Sequence, residues 1–247
     1  MLKRAVLLAA GRGTRLGALT QDRPKPMVPI AGRPVLEHIL TRLHAVGFDD
    51  FILVVGYRAE VIEAYFGDGS RWGWHISYVL QANPNGTGAA LALARDSAGG
   101  ETVLASYGDI LTDTANYREL VKDFAAAPCG AVVGINSVAD VSAGSAVYRE
   151  GRRVTRVVEK PPPGTATSSW NLAGASIYGP AIWPALAALR PSVRGEYELT
   201  EAIGSLIQGG TEVRACEFTG FWSDIGTPEA LREAEQHMLR ESGGDGA

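Results

Sequence analysis

Two cysteines in 247 residues, Cys129 and Cys216, are too few for a disulfide framework and flank no metal-ligand spacing. Both read as reduced, buried thiols. Long apolar runs are missing too. Nothing approaches the ~18 residues of a membrane span. The apolar stretch in "MLKRAVLLAAGRG" stops after about six residues, short of the core of a secretory signal. A basic excess is also absent, with Lys+Arg 23 against Asp+Glu 27 and a net charge of −4, the reverse of a nucleic-acid binder's footprint. The expectation is a cytoplasmic protein with neither nucleic acid nor membrane as partner. Any polyanionic ligand must then be held by a local cluster of positive groups. Repeats and dividing linkers are lacking, so one domain is expected.

With 46% hydrophobic and 20% charged residues, the chain has the make-up of a globular α/β domain. "RAVLLA" (4–9), "FILVVG" (51–56), "HISYVL" (75–80) and "ETVLASYGDI" (101–110) read as strands. Between them, Val35, Leu36, Ile39, Leu40, Leu43 and Val46 recur at helical spacing after Pro34, "AEVIEAYF" (59–66) reads as a helix, and "GAALALARD" (88–96) as another. Such alternation implies a Rossmann-like, mainly parallel sheet with helices on both faces and ligands at the carboxyl ends of its strands. The second half is richer in strand signals: "GAVVGI" (130–135), "SAVYR" (145–149), "RVTRVVEK" (153–160) and "GASIYG" (174–179). A smaller β-rich part with its own loops is expected there. The segment 159–169, "EKPPPGTATSS", reads as loop. "EYELTEAIGSLI" and "PEALREAEQHMLR" read as helices, and the tail 242–247 as disordered.

The first strand runs into "GRGTRL". Gly11 and Gly13 permit positive φ and close backbone approach, and a tight loop of exposed N–H groups after a strand is an anion-binding concavity. The loop lacks the third glycine of a dinucleotide fingerprint and the Gly-Lys-Ser/Thr of a Walker A motif. Arg15 and Lys25 flank a ten-residue loop and can converge on one triphosphate. Pro24 and Pro26 stiffen the chain around Lys25. Taken singly, each feature is also compatible with an ordinary turn.

Together, "LAAGRGTRL…RPKPMVPIAGRPVLEHIL" resembles the signature of the sugar-1-phosphate nucleotidylyltransferases. Further motifs like the family's follow in order: "QANPNGTGAAL" (81–91), "GDI" (108–110), "EKP" (159–161), "NLAGASIY" (171–178), "EYELTEAI" (196–203) and "FWSDIGTPEAL" (221–231). The resemblance implies a GT-A-like nucleotidyltransferase fold over 1–241. A nucleotide-binding part would cover about 1–128 and a sugar-phosphate part about 129–241. It implies a nucleoside triphosphate and a sugar-1-phosphate as substrates, Mg²⁺ as cofactor, and release of pyrophosphate. Relatives often form homo-oligomers, but nothing in this sequence fixes a subunit count.

By the same resemblance, Arg15, Lys25 and Lys160 are the catalytic cations, with Lys160 holding the sugar phosphate. Asp109 and Asp224 hold the metal. Leu8, Ala10, Gly11, Gly13, Thr14, Gln81, Gly86 and Thr87 bind the nucleotide, Gln81 and Gly86 reading the base. Gly144, Glu159, Asn171 and Gly174 join Lys160 around the sugar phosphate. Two departures bear on that pocket. Ala143-Gly144 stands where Tyr-Gly is frequent, and Asn-Leu-Ala-Gly carries one residue more than the usual Asn-Ala-Gly. UTP or dTTP with glucose-1-phosphate is favoured. GTP with mannose- or heptose-1-phosphate, CTP with a non-sugar phosphate such as phosphocholine, and a catalytically silent regulatory subunit are the alternatives. The tryptophan-containing segments "SRWGWHI" and "IWPAL" read as packing.

Overall fold

A computed structural model describes residues 2–244. In chain order the first half holds β1 (Arg4–Ala9), the short hairpin β2 (Pro29–Ile30) and β3 (Arg33–Pro34), α1 (Val35–His44), β4 (Asp50–Val55) and α2 (Ala59–Phe66). After these come β5 (His75–Leu80), α3 (Thr87–Leu93), β6 (Val103–Tyr107), β7 (Ile110–Thr112) and α4 (Thr114–Ala126). The second half holds β8 (Ala131–Ser137), β9 (Ser145–Glu150), β10 (Arg153–Glu159), β11 (Trp170–Tyr178), α5 (Ile182–Ala187), α6 (Leu199–Gln208), β12 (Val213–Glu217), β13 (Trp222–Asp224) and α7 (Pro228–Gly244).

Nine strands form one sheet in the order β5-β4-β1-β6-β11-β8-β12-β10-β9. The block β5-β4-β1-β6 is parallel throughout, as strand–helix alternation demands. β11 then enters antiparallel to both β6 and β8, β12 runs parallel to β8, and the β9–β10 pair closes the far edge antiparallel. The β-rich half therefore extends the same sheet rather than building a second one, and the sheet is mixed beyond β6.

Side-chain alternation along each strand feeds two cores. Ala5, Leu7 and Ala9 of β1 point into one, with Leu36, Ile39 and Leu43 of α1, Ile62 of α2, Tyr117 and Leu120 of α4 and Met238 of α7. Val6 points into the other, with Ala90 and Leu91 of α3, Trp183 and Leu186 of α5 and Ile203 and Leu206 of α6. Helix α1 shows why the spacing forces this layering. Val35, Leu36, Ile39, Leu40 and Leu43 are fully buried, each contributing roughly 1.5–3 kcal/mol by leaving water.

Several boundaries move. α3 stops at Leu93, before the expected end at 96, and β6 ends at Tyr107, so Gly108 and Asp109 form the turn into β7. Helix α4 and strand β12 went unread. "IWPAL" does pack as expected, but as part of helix α5, where Ile182 and Trp183 are buried. Cys216 is buried and Cys129 only partly so; both are free thiols. α7 continues through Gly244, into the segment 242–247 expected to be a disordered tail, of which 245–247 lie outside the described residues. No helix among the described residues is long and apolar enough to cross a membrane.

Candidate active site

The carboxyl ends of β1, β5 and β6 open onto a cleft of about 420 Å³. At its floor is Lys25. Pro24 precedes it in extended backbone and Pro26 follows in a short 3-10 turn, so the chain around Lys25 is stiff. The lysine stem runs behind the glycine loop. Gly13 adopts a left-handed φ of 74°, and a Cβ there would sit 2.6 Å from Lys25 Cβ. Only glycine allows this approach.

Lys25 Nζ lies 2.6 Å from Asp109 Oδ2 and 2.6 Å from Asp224 Oδ1, with the lysine side chain only 7% exposed. Burial alone would depress the ammonium's pKa, but the charges of Asp109 and Asp224 and their hydrogen bonds outweigh it, and the pKa is raised. The two aspartates meet because β7 and β13 pair antiparallel, with Asp224 opposite Ile110. Ile225 N–H donates to the Asp109 carbonyl at 3.0 Å, fastening the two turns together. Arg15 stands at the mouth, 66% exposed, its Nη2 3.7 Å from Asp224 Oδ2.

To one side lies the turn between β5 and α3. The Gln81 amide donates to Asn85 Oδ1 and to the Gly86 carbonyl, both at 3.3 Å. Because the Gly86 oxygen can only accept, the amide orientation is fixed, and Oε1 is left as the acceptor it can offer to a ligand. Gly86, at φ 119°, lets the turn press against the backbone of Tyr197, where a Cβ would overlap the Tyr197 carbonyl. Tyr197 N–H donates to the Asn85 carbonyl and Thr87 Oγ1 accepts from Leu199 N–H, so the 190–198 loop is clasped to this turn.

On the opposite side are Gly144, Glu159, Lys160 and Asn171. Asn171 is buried and its amide is fully engaged. Oδ1 accepts from Ser145 N–H at 2.9 Å, and Nδ2 donates to Asn136 Oδ1 and the Leu172 carbonyl. It braces the 143–145 loop, and a Cβ on Gly144 would overlap its Oδ1. Lys160 takes a left-handed φ of 38°, unusual for a lysine, while its N–H donates to the Gly144 carbonyl at 2.8 Å. Glu159 accepts from Thr200 Oγ1 at 3.1 Å and pairs with Arg194 at 3.6 Å. Burial, and then the neighbouring Glu198 charge, push its carboxyl above the ordinary range.

Of the expected site residues, Leu8, Ala10, Gly11, Arg15, Lys25, Gln81, Gly86, Thr87, Asp109, Gly144, Glu159, Lys160, Asn171 and Asp224 line this one cleft. Gly13, Thr14 and Gly174 do not. Gly13 lies behind Lys25, Thr14 starts an exposed 3-10 turn, and Gly174 (φ 82°) passes beneath Tyr107 and Ile110, where a side chain would not fit. Tyr107, Trp222 and Glu196 line the cleft without having been singled out. Trp222 Nε1 donates to the Ala173 carbonyl at 2.8 Å, pinning β13 to β11. All three sit within or beside motifs quoted above, so proximity to those motifs was the available signal.

The sequence model described as nucleotidyl transferase matches residues 4–241. The chain belongs to the nucleotidyl transferase family. Curated relatives include the UTP–glucose-1-phosphate uridylyltransferase AglF of Haloferax volcanii, 37% identical over 96% of this chain and 97% of the relative. A glucose-1-phosphate thymidylyltransferase of Streptomyces griseus is 35% identical over 96% of this chain, which spans 66% of that protein's length. Among solved structures, a UDP-glucose pyrophosphorylase complexed with UDP-glucose superposes with a TM-score of 0.88 at 24% identity, covering 98% of this chain and 100% of the other. That likeness establishes the nucleotidyl transferase fold. As the general rule for open α/β sheets requires, the cleft lies at the carboxyl ends of the parallel strands.

Proposed function

We propose that the chain transfers a nucleotidyl group from a nucleoside triphosphate to a sugar-1-phosphate, with UTP or dTTP and glucose-1-phosphate as the favoured pair. The single observation that carries this reading is the meeting in one cleft of the cations Arg15, Lys25 and Lys160 with the carboxylates of Asp109 and Asp224. An oxygen of the sugar phosphate attacks the α-phosphorus, the bond from that phosphorus to the departing pyrophosphate breaks opposite, and an NDP-sugar forms. The obstacle is charge. Two unit charges 4 Å apart repel by about 4 kcal/mol at an effective dielectric near 20, and each reactant carries several. Positioning and cancelling this charge are therefore most of the catalysis. No general base is needed, because a phosphate monoester already carries about −1.5 to −2 at neutral pH.

Two carboxylates from unconnected elements converging on one point form the hard-oxygen donor set that magnesium accepts beside phosphates. Asp109 and Asp224 would hold Mg²⁺, which when bound neutralises phosphate oxygens. Arg15, exposed at the mouth, meets the α-phosphate and the leaving pyrophosphate. Lys160, on its strained backbone, meets the sugar phosphate, and Glu159 accepts from a sugar hydroxyl. The nucleotide part spans about 1–128 and the sugar-phosphate part about 129–241.

The Gln81 acceptor favours bases that present a ring N–H. Uracil and thymine do so, and cytosine does not. Guanine also presents one, so GTP with mannose- or heptose-1-phosphate is the second reading. Both relatives named above act on glucose-1-phosphate by their names, which favours the first. Pyrophosphate release across UTP, dTTP, GTP, CTP and ATP with several sugar-1-phosphates, with and without Mg²⁺, tests the proposal. Turnover by UTP or dTTP with glucose-1-phosphate is expected. No turnover for any pair would instead indicate a silent regulatory subunit.

A further inference from the structure

We infer that Lys25 is a tethered placeholder. Its ammonium holds the place between Asp109 and Asp224 until a divalent cation arrives with the triphosphate, and is then released toward the phosphates. The inference rests on the functional reading above and deepens it. Three observations carry it. The ammonium is equidistant from one oxygen of each aspartate, 2.6 Å from both, and so occupies the point on which the two carboxylates converge. It enters from the protein side, at 7% exposure, whereas Asp109 and Asp224 are 29% and 41% exposed and open onto the cleft. Its stem passes along Gly13 in a slot with no room for another side chain, which leaves rotation of the terminal methylenes as its main freedom.

The consequence follows from charge. Two facing carboxylates without a cation repel each other, and one ammonium leaves the group at a net −1. A divalent ion on the same two oxygens neutralises them, but magnesium takes carboxylate oxygens at about 2.0–2.1 Å, and two cations cannot share that point. Lys25 must therefore turn away. With no phosphate present, its buried charge would have no partner, which penalises binding of metal alone. With a triphosphate present, the freed ammonium gains new acceptors and the penalty vanishes. Metal and nucleotide are thereby made to bind together, and the charge released by the metal is delivered where negative charge has just entered. A lysine that never left the two carboxylates would instead keep a metal ion off them whether or not a triphosphate was present.

The test uses Mn²⁺ alone, with neither nucleotide nor sugar phosphate, read by the paramagnetic resonance of free Mn²⁺. Wild type is compared with Lys25→Met, which keeps an unbranched flexible stem but not the charge. Asp109→Asn serves as the control lacking one ligand. Lys25→Met is expected to bind Mn²⁺ at least about tenfold more tightly than wild type, within the usual range of coupling between sites. Asp109→Asn is expected to gain nothing. Equal or weaker binding by Lys25→Met overturns the inference. If that variant does not fold, Lys25→Gln, which supplies a polar donor without the charge, takes its place under the same criterion. Failure of both variants to fold even in saturating Mn²⁺ would mark the ammonium as a fixed brace and equally overturn it. Because this assay contains no substrates, absence of pyrophosphate release would sink the proposed reaction without altering the result here.

Discussion

Replacing Gly144 with alanine probes the link between the sugar-side loop and its brace. Gly144 does not have a left-handed φ, so the change introduces no backbone strain of its own. The added Cβ would overlap Asn171 Oδ1 and lie 3.2 Å from Asn171 Cγ, so the amide must move. Moving it breaks the 2.9 Å bond from the buried Ser145 N–H. A buried donor left unpaired costs about 1–3 kcal/mol, and the remaining bonds of the amide weaken as it turns. We therefore expect a loss of about 2 kcal/mol. With a urea slope of ~1–3 kcal/mol per molar, the unfolding midpoint falls by about 1 M. The same loop carries the carbonyl that receives Lys160 N–H. KM for the sugar phosphate should therefore rise by about tenfold, one decade per 1.4 kcal/mol, while KM for the triphosphate stays near its wild-type value. Asn171→Ala removes the atom that clashes, so the Gly144→Ala/Asn171→Ala pair should be less than additive by at least about 1 kcal/mol. A Gly144→Ala variant with unchanged midpoint and unchanged sugar KM would refute the claim that Asn171 rigidly positions this loop.

Asp109→Asn and Asp224→Asn should each lower kcat by at least about a hundredfold in the pyrophosphate-release assay while circular dichroism stays native. Near-normal rates in both would remove them from the metal site. Glu159→Gln should raise the thermal midpoint near neutral pH, because it removes a buried charge facing Glu198, yet lower kcat/KM for the sugar phosphate. The pH sign follows from linkage. The folded carboxyl titrates above its unfolded counterpart, so between the two values the native state holds more protons and stability rises as pH falls. The wild-type deficit relative to Glu159→Gln should therefore be full above the raised pKa and shrink in acid, as denaturation across pH would record. Gln81→Met should narrow the UTP-over-CTP preference in kcat/KM by about tenfold, the worth of one hydrogen bond to the base. An unchanged ratio would place base selection elsewhere.

Where local pattern decided local structure, the sequence was a good guide. α2 and β5 run over the residues their periodicity marked, bounded by Gly67 and by the glycine at 73 before Trp74. Membership of a nucleotidyl transferase family was legible because its motifs recur in one order. Pairing between distant segments was not. β11 enters antiparallel between β6 and β8, an arrangement fixed by contacts far apart in the chain rather than by the strand's own residues. Helix α4 did carry a helical signal, with Tyr117, Leu120, Val121 and Phe124 at i, i+3, i+4 and i+7, but no motif adjoins it and charged residues interleave the stripe. At the cleft, residue types named the participants but not their partners. Asn171, expected in the sugar-phosphate pocket, lines the cleft and also braces the 143–145 loop. Lys25, expected at the triphosphate, stands between two carboxylates that its own sequence neighbourhood does not reveal. Such assignments depend on which atoms fill a neighbour's valence, and that is a property of the assembled interior.

The β7–β13 ladder gives the cleft an unusual dependence on completion. Asp109 sits in the turn before β7 and Asp224 ends β13, with five strands and three helices between those two strands in the chain, so neither half of the polypeptide owns the pair. During synthesis, the parallel block and its glycine loop can form long before Asp224 leaves the ribosome, but Lys25 would then face Asp109 alone. A fragment ending before Trp222 would retain the loop, Gln81 and Lys160 and still present Asp109 without Asp224. The cleft is thus completed late and all at once, when the last strand docks.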